Sequence, residues 1–328
     1  MQIMDLSQPI DRRQFLRASS ALTAGLSIAS INLSRAFGQQ PNGAAKPRSL
    51  ANGVPNAEKL GWRVGVQTYT FHRFSLFEAI NMTASLGLKY IETCPGHRIS
   101  KDEPHGLYSG TPAEIRTLLK NKLTEAGMKH TSHYEPLTPA VAHRVFSFCQ
   151  DMGLEMLITD PPRVPTGEGS IEWYEKVANE YGIKLVLTNH PKQDGAAYWD
   201  PDQIVEDCKG RSKSVGASCD PGHFMRGGFA PKDAVAKYMK IDRMYHFHFR
   251  DVDKIGPGGV DVPLGEGVAD IEGIAKELHR NNLKPLFQIE YERDFTNPMA
   301  QLVPSVNYFN DLCGKLLMRE SDTPTTGE

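Results

Sequence analysis

One local pattern recurs along this chain and limits its fold more than any other: an amphipathic run ends in glycine and a short apolar run follows. Leu86-Gly87-Leu88, Ala126-Gly127-Met128, Met152-Gly153-Leu154 and Tyr181-Gly182-Ile183 all have it. Glycine just past a helix end accepts the left-handed conformation that closes the last turn. Four such junctions in register read as a repeated helix-to-strand unit. Apolar or β-branched runs at 63–69, 90–93, 129–133, 156–159, 184–188, 215–219, 245–249 and 287–291 read as strands. Helical periodicity falls between them, at 76–86, 113–126, 140–152, 171–181, 232–239 and 271–281. The 268 residues from 61 onward suit a closed (β/α)8 barrel. A doubly wound open sheet competes. No glycine-rich phosphate loop follows any strand, however, and eight units favour closure. The expectation is an α/β chain folded as a TIM barrel over residues 61–328.

The first residues read as an address. Arg12-Arg13-Gln14-Phe15-Leu16, followed by an uncharged, mildly apolar stretch over 18–33, resembles a twin-arginine export signal. That stretch is shorter than the roughly 20 residues of a membrane helix. Ala36-Phe37-Gly38 offers small residues where a signal peptidase cuts, so 1–38 is expected to be the signal and 39–60 a Gly/Pro-rich linker. Export through the twin-arginine translocase makes the periplasm the expected location. No later apolar run approaches a membrane span. With 37 basic against 39 acidic residues, no positive excess exists to neutralise a nucleic acid. Five scattered cysteines with no CxxC pair suggest neither a disulfide framework nor a zinc ribbon.

In a parallel barrel, chemistry gathers at the carboxyl ends of the strands. Of eleven histidines, six sit at or just past such ends: His130, His133, His190, His223, His246 and His248. Carboxylates join them at Glu92, Glu135, Asp160, Asp220, Glu290 and Glu292. Imidazoles and carboxylates converging on one rim make a divalent-metal site with nitrogen and oxygen ligands. Period two puts His246 and His248 on one face of their strand, and the one nearer the carboxyl end, His248, is the expected ligand. His246 is then either an orienting partner or a core histidine. Glu92, His133, Arg250 and Glu292 are candidates for substrate contacts. Glu92 reads equally as a buried paired carboxylate, His133 and Glu135 as caps of the next segment, and Asp160 as a turn residue. Tyr69, Trp62 and Phe71 form either a sugar-stacking wall or ordinary packing.

Asp220-Pro221-Gly222-His223, His246-Phe247-His248 and Glu290-Tyr291-Glu292 together resemble the xylose isomerase-like TIM barrels, and most closely their exported sugar phosphate isomerase/epimerase branch. Val262-Pro263-Leu264-Gly265-Glu266-Gly267 resembles that family's loop before the last helix. The resemblance implies a metal held by a Glu after strand 5, an Asp after strand 6, a His after strand 7 and a Glu after strand 8. Three of these carry over, to Asp220, His248 and Glu290, and His223 takes the place of a substrate-touching histidine. The strand-5 position departs from the pattern, reading Thr188-Asn189-His190-Pro191. His190 is the expected replacement, as ligand or as acid–base catalyst. Arg250-Asp251 resembles the family's basic–acidic pair at the rim. Barrels of this family often pair, so a homo-oligomer is an expected partner state.

The resemblance implies a metal-dependent isomerase or epimerase that moves a proton through an enediolate of a small carbohydrate, with His190, Glu290 and His223 catalytic. Manganese is the first expectation for the metal, with zinc, iron or cobalt as alternatives. A lyase, dehydratase or hydratase acting on a keto-sugar or 3-keto-glycoside shares the same intermediate and is the second expectation. A non-catalytic sugar- or metal-binding barrel is the third.

Overall fold

The computed structural model describes residues 51–321. The expected export signal and most of the linker lie outside these residues. Eight parallel strands close into a barrel: β1 (Arg63–Gln67), β2 (Tyr90–Thr93), β3 (Lys129–Tyr134), β4 (Met156–Thr159), β5 (Lys184–Leu187), β6 (Val215–Cys219), β7 (Met244–Phe249) and β10 (Leu286–Ile289). The barrel order is β1-β10-β7-β6-β5-β4-β3-β2. β8 (Asp251–Val252) and β9 (Asp261–Val262) form a small antiparallel ribbon in the loop after β7. The helices are α1 (Pro55–Lys59), α2 (Leu76–Ser85), α3 (Ala113–Glu125), α4 (Ala142–Asp151), α5 (Ile171–Tyr181), α6 (Pro201–Cys208), α7 (Pro221–Arg226), α8 (Pro231–Lys240), α9 (Ile271–Arg280) and α10 (Met299–Ser321). Among the described residues, no helix is long and apolar enough to cross a membrane.

Alternation along each strand sorts side chains between two cores. On β7, Phe247 and Phe249 point outward and pack on Phe287 and on Phe309 of α10. The larger core lies there, between sheet and helices. Inside the barrel, Tyr69, Cys94, Tyr134, Met156, Ile158, Val186 and Leu286 form a smaller cluster. Above part of it lies a polar layer that includes Glu92, Ser132, Ser218 and His246.

Two expectations move. β1 stops at Gln67 rather than at residue 69, because the Gln67 side chain caps a 3-10 turn over Thr68–Phe71. The last residues of the expected linker belong to the folded domain: Ala51, Val54 and Ala57 are buried. Asn56 anchors α1 by two hydrogen bonds to Asn310 of α10. Gly53 and Gly87, both at positive φ, approach so closely that a Cβ on Gly53 would meet the Gly87 carbonyl at 2.7 Å. Trp62 is likewise part of the outer core, buried against Phe287 and Phe309, with its indole donating to the Leu283 carbonyl. It contributes nothing to a sugar wall, and neither does Phe71, which is fully buried.

Candidate metal centre

The carboxyl ends of β6, β7 and β10 bring Asp220, His248 and Glu290 together. Each offers a donor atom within 4.8 Å of the others, and all three residues are buried. Asp220 caps α7: its Oδ1 accepts from the His223 backbone N–H at 2.9 Å, which leaves Oδ2 for the site. Asn189 grips the same residue from the end of β5, accepting from the Asp220 N–H and donating to its carbonyl. His248 presents Nδ1 3.7 Å from Glu290 Oε2.

The other nitrogen of His248 points to Glu92, 2.5 Å away. The second Glu92 oxygen lies 2.8 Å from His246 Nε2 and accepts from the Ser132 hydroxyl. Glu92 is therefore not a substrate contact, as one sequence reading had it. It points inward one layer below the rim, is sealed from solvent, and has both oxygens engaged. A carboxylate on the far nitrogen of a ligating histidine fixes its tautomer and ring orientation. His246, whose Nδ1 lies 2.9 Å from Ser218 Oγ, is the orienting partner beneath.

The charges explain the titration behaviour. Burial pushes the Glu92 carboxyl up, but the two imidazoles, His248 foremost, outweigh it and hold it below the ordinary carboxylate range. Burial lowers His246 despite Glu92, whereas for His248 the surrounding carboxylates overcome burial and raise it. Asp220 is pushed up to about 6, by burial first and by Glu290, against the pull of Arg250. Asp220, Asp261 and Glu290 are all buried, with Glu292 partly so, facing the buried Arg250 and the partly buried Arg226. Buried carboxylates in surplus over cations are costly unless neutralised. Two carboxylates and one imidazole facing one point are a nitrogen–oxygen donor set suited to a divalent ion of the magnesium, manganese or zinc kind. The residues present therefore fit such an ion.

Arg250 departs from the expected substrate contact. Its side chain is fully buried, with Nε 3.0 Å from Asp220 Oδ2, Nη2 2.7 Å from Glu290 Oε2 and Nη1 3.0 Å from Glu292 Oε2. Glu292 stays at the rim with part of its side chain exposed. His133 is also corrected. Odd-numbered neighbours of Tyr134 face outward here, so the His133 ring packs on Phe148 of α4. Its two nitrogens are taken by Thr93 and Glu135, and Glu135 in turn accepts from Ser109. That network ties down the loop before α3 and holds no sugar.

Glu92, His246 and His248 form a second buried group of donors one layer below, and His190 belongs to neither group. Its Nδ1 faces Asp160 Oδ2 at 2.9 Å, and the other Asp160 oxygen accepts from the Tyr134 hydroxyl. The His190 ring lies 4.9 Å from that of His223, whose Nε2 is 3.4 Å from Asp220 Oδ2. His190 thus borders the centre as a histidine oriented by a carboxylate, in the arrangement of a general base and its positioning partner. The sequence places Asp160, Tyr134 and Thr188 at strand ends, with Asp160 equally a turn residue and no role assigned to the other two. Thr188 shares the inward face of Val186, and its hydroxyl is buried without a hydrogen-bond partner. Parity along β4 and β5 was the available signal for Tyr134 and Thr188.

Residues 168–312, which contain all three candidate ligands, match a family model described as a xylose isomerase-like TIM barrel. No protein of curated function matches the sequence. Solved structures do resemble the fold. An uncharacterised protein from Parabacteroides distasonis is 23% identical, with a TM-score of 0.58 over 76% of this chain and 98% of its own. A D-tagatose 3-epimerase-like protein gives 0.63 at 16% identity, over 79% and 99%. A xylose isomerase-like protein from Mycobacterium smegmatis, solved with magnesium, gives 0.58 at 14% identity, over 78% and 98%. With the closed order of its eight strands, this chain has the xylose isomerase-like TIM-barrel fold.

Proposed function

We propose that this protein is a divalent-metal-dependent isomerase or epimerase of a small carbohydrate, with Asp220, His248 and Glu290 holding the ion. One observation carries the reading: the buried convergence of those three donors on the catalytic face of the barrel. The resemblance to an epimerase-like protein and to a magnesium complex of the same fold supports it. A bound ion of this kind would supply Lewis acidity to adjacent carbonyl and hydroxyl oxygens and so acidify the hydroxyl-bearing carbon next to the carbonyl. The chain does the rest. Asp160 Oδ2 lies 2.9 Å from His190 Nδ1, which leaves Nε2 as the atom that takes or returns the proton. His223, backed by Asp220, faces a substrate hydroxyl. Glu92 keeps the His248 ring from turning. Manganese is the ion we propose.

Loss of the strand-5 carboxylate favours a second reading. With Thr188 there, proton transfer on that side falls to the single His190–Asp160 pair, which suits elimination or hydration of a keto-sugar as well as epimerisation. Product mass separates the two: an isomer of equal mass supports the first, and gain or loss of water or an aglycone supports the second. The test incubates the manganese-loaded protein with ketoses and keto-glycosides, beside His248→Ala/Glu290→Ala. Activity that vanishes in the variant while the fold survives supports the metal centre. Ligand binding without turnover in either protein would instead make this a sugar-binding barrel. We also infer from residues 11–38 that the protein is exported to the periplasm; cell fractionation with Arg12→Lys/Arg13→Lys tests it, retention in the cytoplasm being the expected result.

A further inference from the structure

Arg250 stands at ion-pair distance from the oxygens that a metal ion would need, while its hydrogen bonds go to Asp261 and Glu292. Its Nε lies 3.0 Å from Asp220 Oδ2, and the other Asp220 oxygen is committed to the His223 N–H. Its Nη2 lies 2.7 Å from Glu290 Oε2, the atom that faces His248 Nδ1. A guanidinium matches carboxylates through a planar fork and keeps its charge at any pH the protein meets. A dication drawn to the same two oxygens meets this positive group at contact range, where in a buried setting repulsion is strong.

The fork also has a second seat. Nη1 is 3.0 Å from Glu292 Oε2 and 3.4 Å from Asp261 Oδ2, and Nη2 is 3.2 Å from Glu292 Oε1. Asp261 stands on β9 and Glu292 beyond β10, on the solvent side of the centre. The stem of Arg250 reaches this position across Gly222, in the Asp220-Pro221-Gly222-His223 segment. A Cβ there would meet Arg250 Cδ at 2.4 Å and Cγ at 2.7 Å. The φ of Gly222 is not positive, so space for the arginine stem is what glycine supplies at this position.

We propose that Arg250 is an exchangeable counter-cation of the centre: it neutralises Asp220 and Glu290, and metal uptake draws its guanidinium off those two carboxylates while it stays on Asp261 and Glu292, which it already contacts. This rests on the reading of Asp220, His248 and Glu290 as metal ligands. The consequence is a centre whose affinity for metal is set by the arginine as well as by the ligands. It holds its carboxylates together without an ion, and it gives them up only to a cation that binds more strongly.

The test is calorimetric titration of Mn2+ into the metal-stripped full chain, for wild type, Arg250→Gln, Gly222→Ala and Glu292→Gln, with melting curves of each. Gly222→Ala displaces the stem and removes no charge, so it decides the matter if Arg250→Gln fails to fold without metal. The expected result is Mn2+ affinity raised about tenfold or more in Arg250→Gln and Gly222→Ala, and lowered in Glu292→Gln, which loses the receiving seat. The metal-free melting temperature should fall in Arg250→Gln and recover on adding Mn2+. Wild type that binds Mn2+ with affinity unchanged in folded Gly222→Ala and Arg250→Gln would overturn the exchange and leave the metal centre standing. No Mn2+ binding by any of the four proteins would remove the metal centre and the exchange with it.

Discussion

At the scale of single residues, the candidate centre is built by division of labour around each proposed ligand. Asp220 has one oxygen fixed by the start of α7, its backbone clamped by Asn189, and one oxygen facing the site. His248 has one nitrogen fixed by Glu92 and one facing the site. This predicts that Glu92→Gln lowers metal affinity by about tenfold to a hundredfold, although residue 92 is not in the Asp220–His248–Glu290 group. Equilibrium dialysis against manganese checks it; unchanged affinity would mean that packing alone orients the histidine. The proposed function gives His190 a different task, proton transfer. His190→Asn should lower turnover by about a hundredfold to ten-thousandfold and leave bound manganese unchanged, read by kinetics and elemental analysis of the same sample. Loss of metal together with activity would return His190 to the ligand set.

At the scale of elements, loops after the strands carry polar residues whose burial makes them pH-sensitive. His97, in the loop after β2, is buried, with Nε2 2.8 Å from the Thr68 carbonyl and Nδ1 3.2 Å from that of Phe74. Burial depresses it from 6.5 to about 4, against the pull of both carbonyls. The unfolded chain therefore binds a proton in this window before the folded one does. The stability linked to His97 is complete above pH 6.5 and is lost as pH falls to about 4, amounting to about 3 kcal/mol. Urea unfolding at neutral and mildly acid pH should show this slope, and His97→Gln should flatten it. The turn closed by Asp251 follows a different logic. Its carboxylate collects the N–H groups of Val252, Gly265, Gly267 and Ala269. The Pro263–Gly267 loop that was visible as a motif is therefore a scaffold wrapped around one buried carboxylate.

At the scale of the whole molecule, the barrel is sealed from outside by its last helix. Phe309 of α10 packs on Trp62, Phe249 and Phe287, which joins β1, β7 and β10 across the closure of the sheet. Phe309→Ala should cost about 4 kcal/mol by leaving a cavity. Thermal melting followed by tryptophan fluorescence would register it, while manganese affinity in the folded state stays as in wild type. A change in affinity of the same size would show that the outer seal and the centre are coupled.

Much of this architecture was legible from the chain. Glycines 87, 127, 153 and 182 at positive φ, with apolar runs at regular intervals, dictate repeated βα units, because local backbone preference and period-two burial are written residue by residue. The residues at strand ends were legible for the same reason: topology sends every strand end to one face. What the sequence could not settle was which of those residues face one another across the barrel. Glu92 and His248 are 156 positions apart, and only closure of the sheet puts their side chains 2.5 Å from each other. Arg250 read as a rim residue because it follows a strand end, yet the ribbon of β8 and β9 folds over it and seals it among four carboxylates. His133 read as a site residue until the pairing of β3 turned it outward. Local sequence determined the elements and their order; the contacts that give each charge its neighbours exist only once distant strands are brought together.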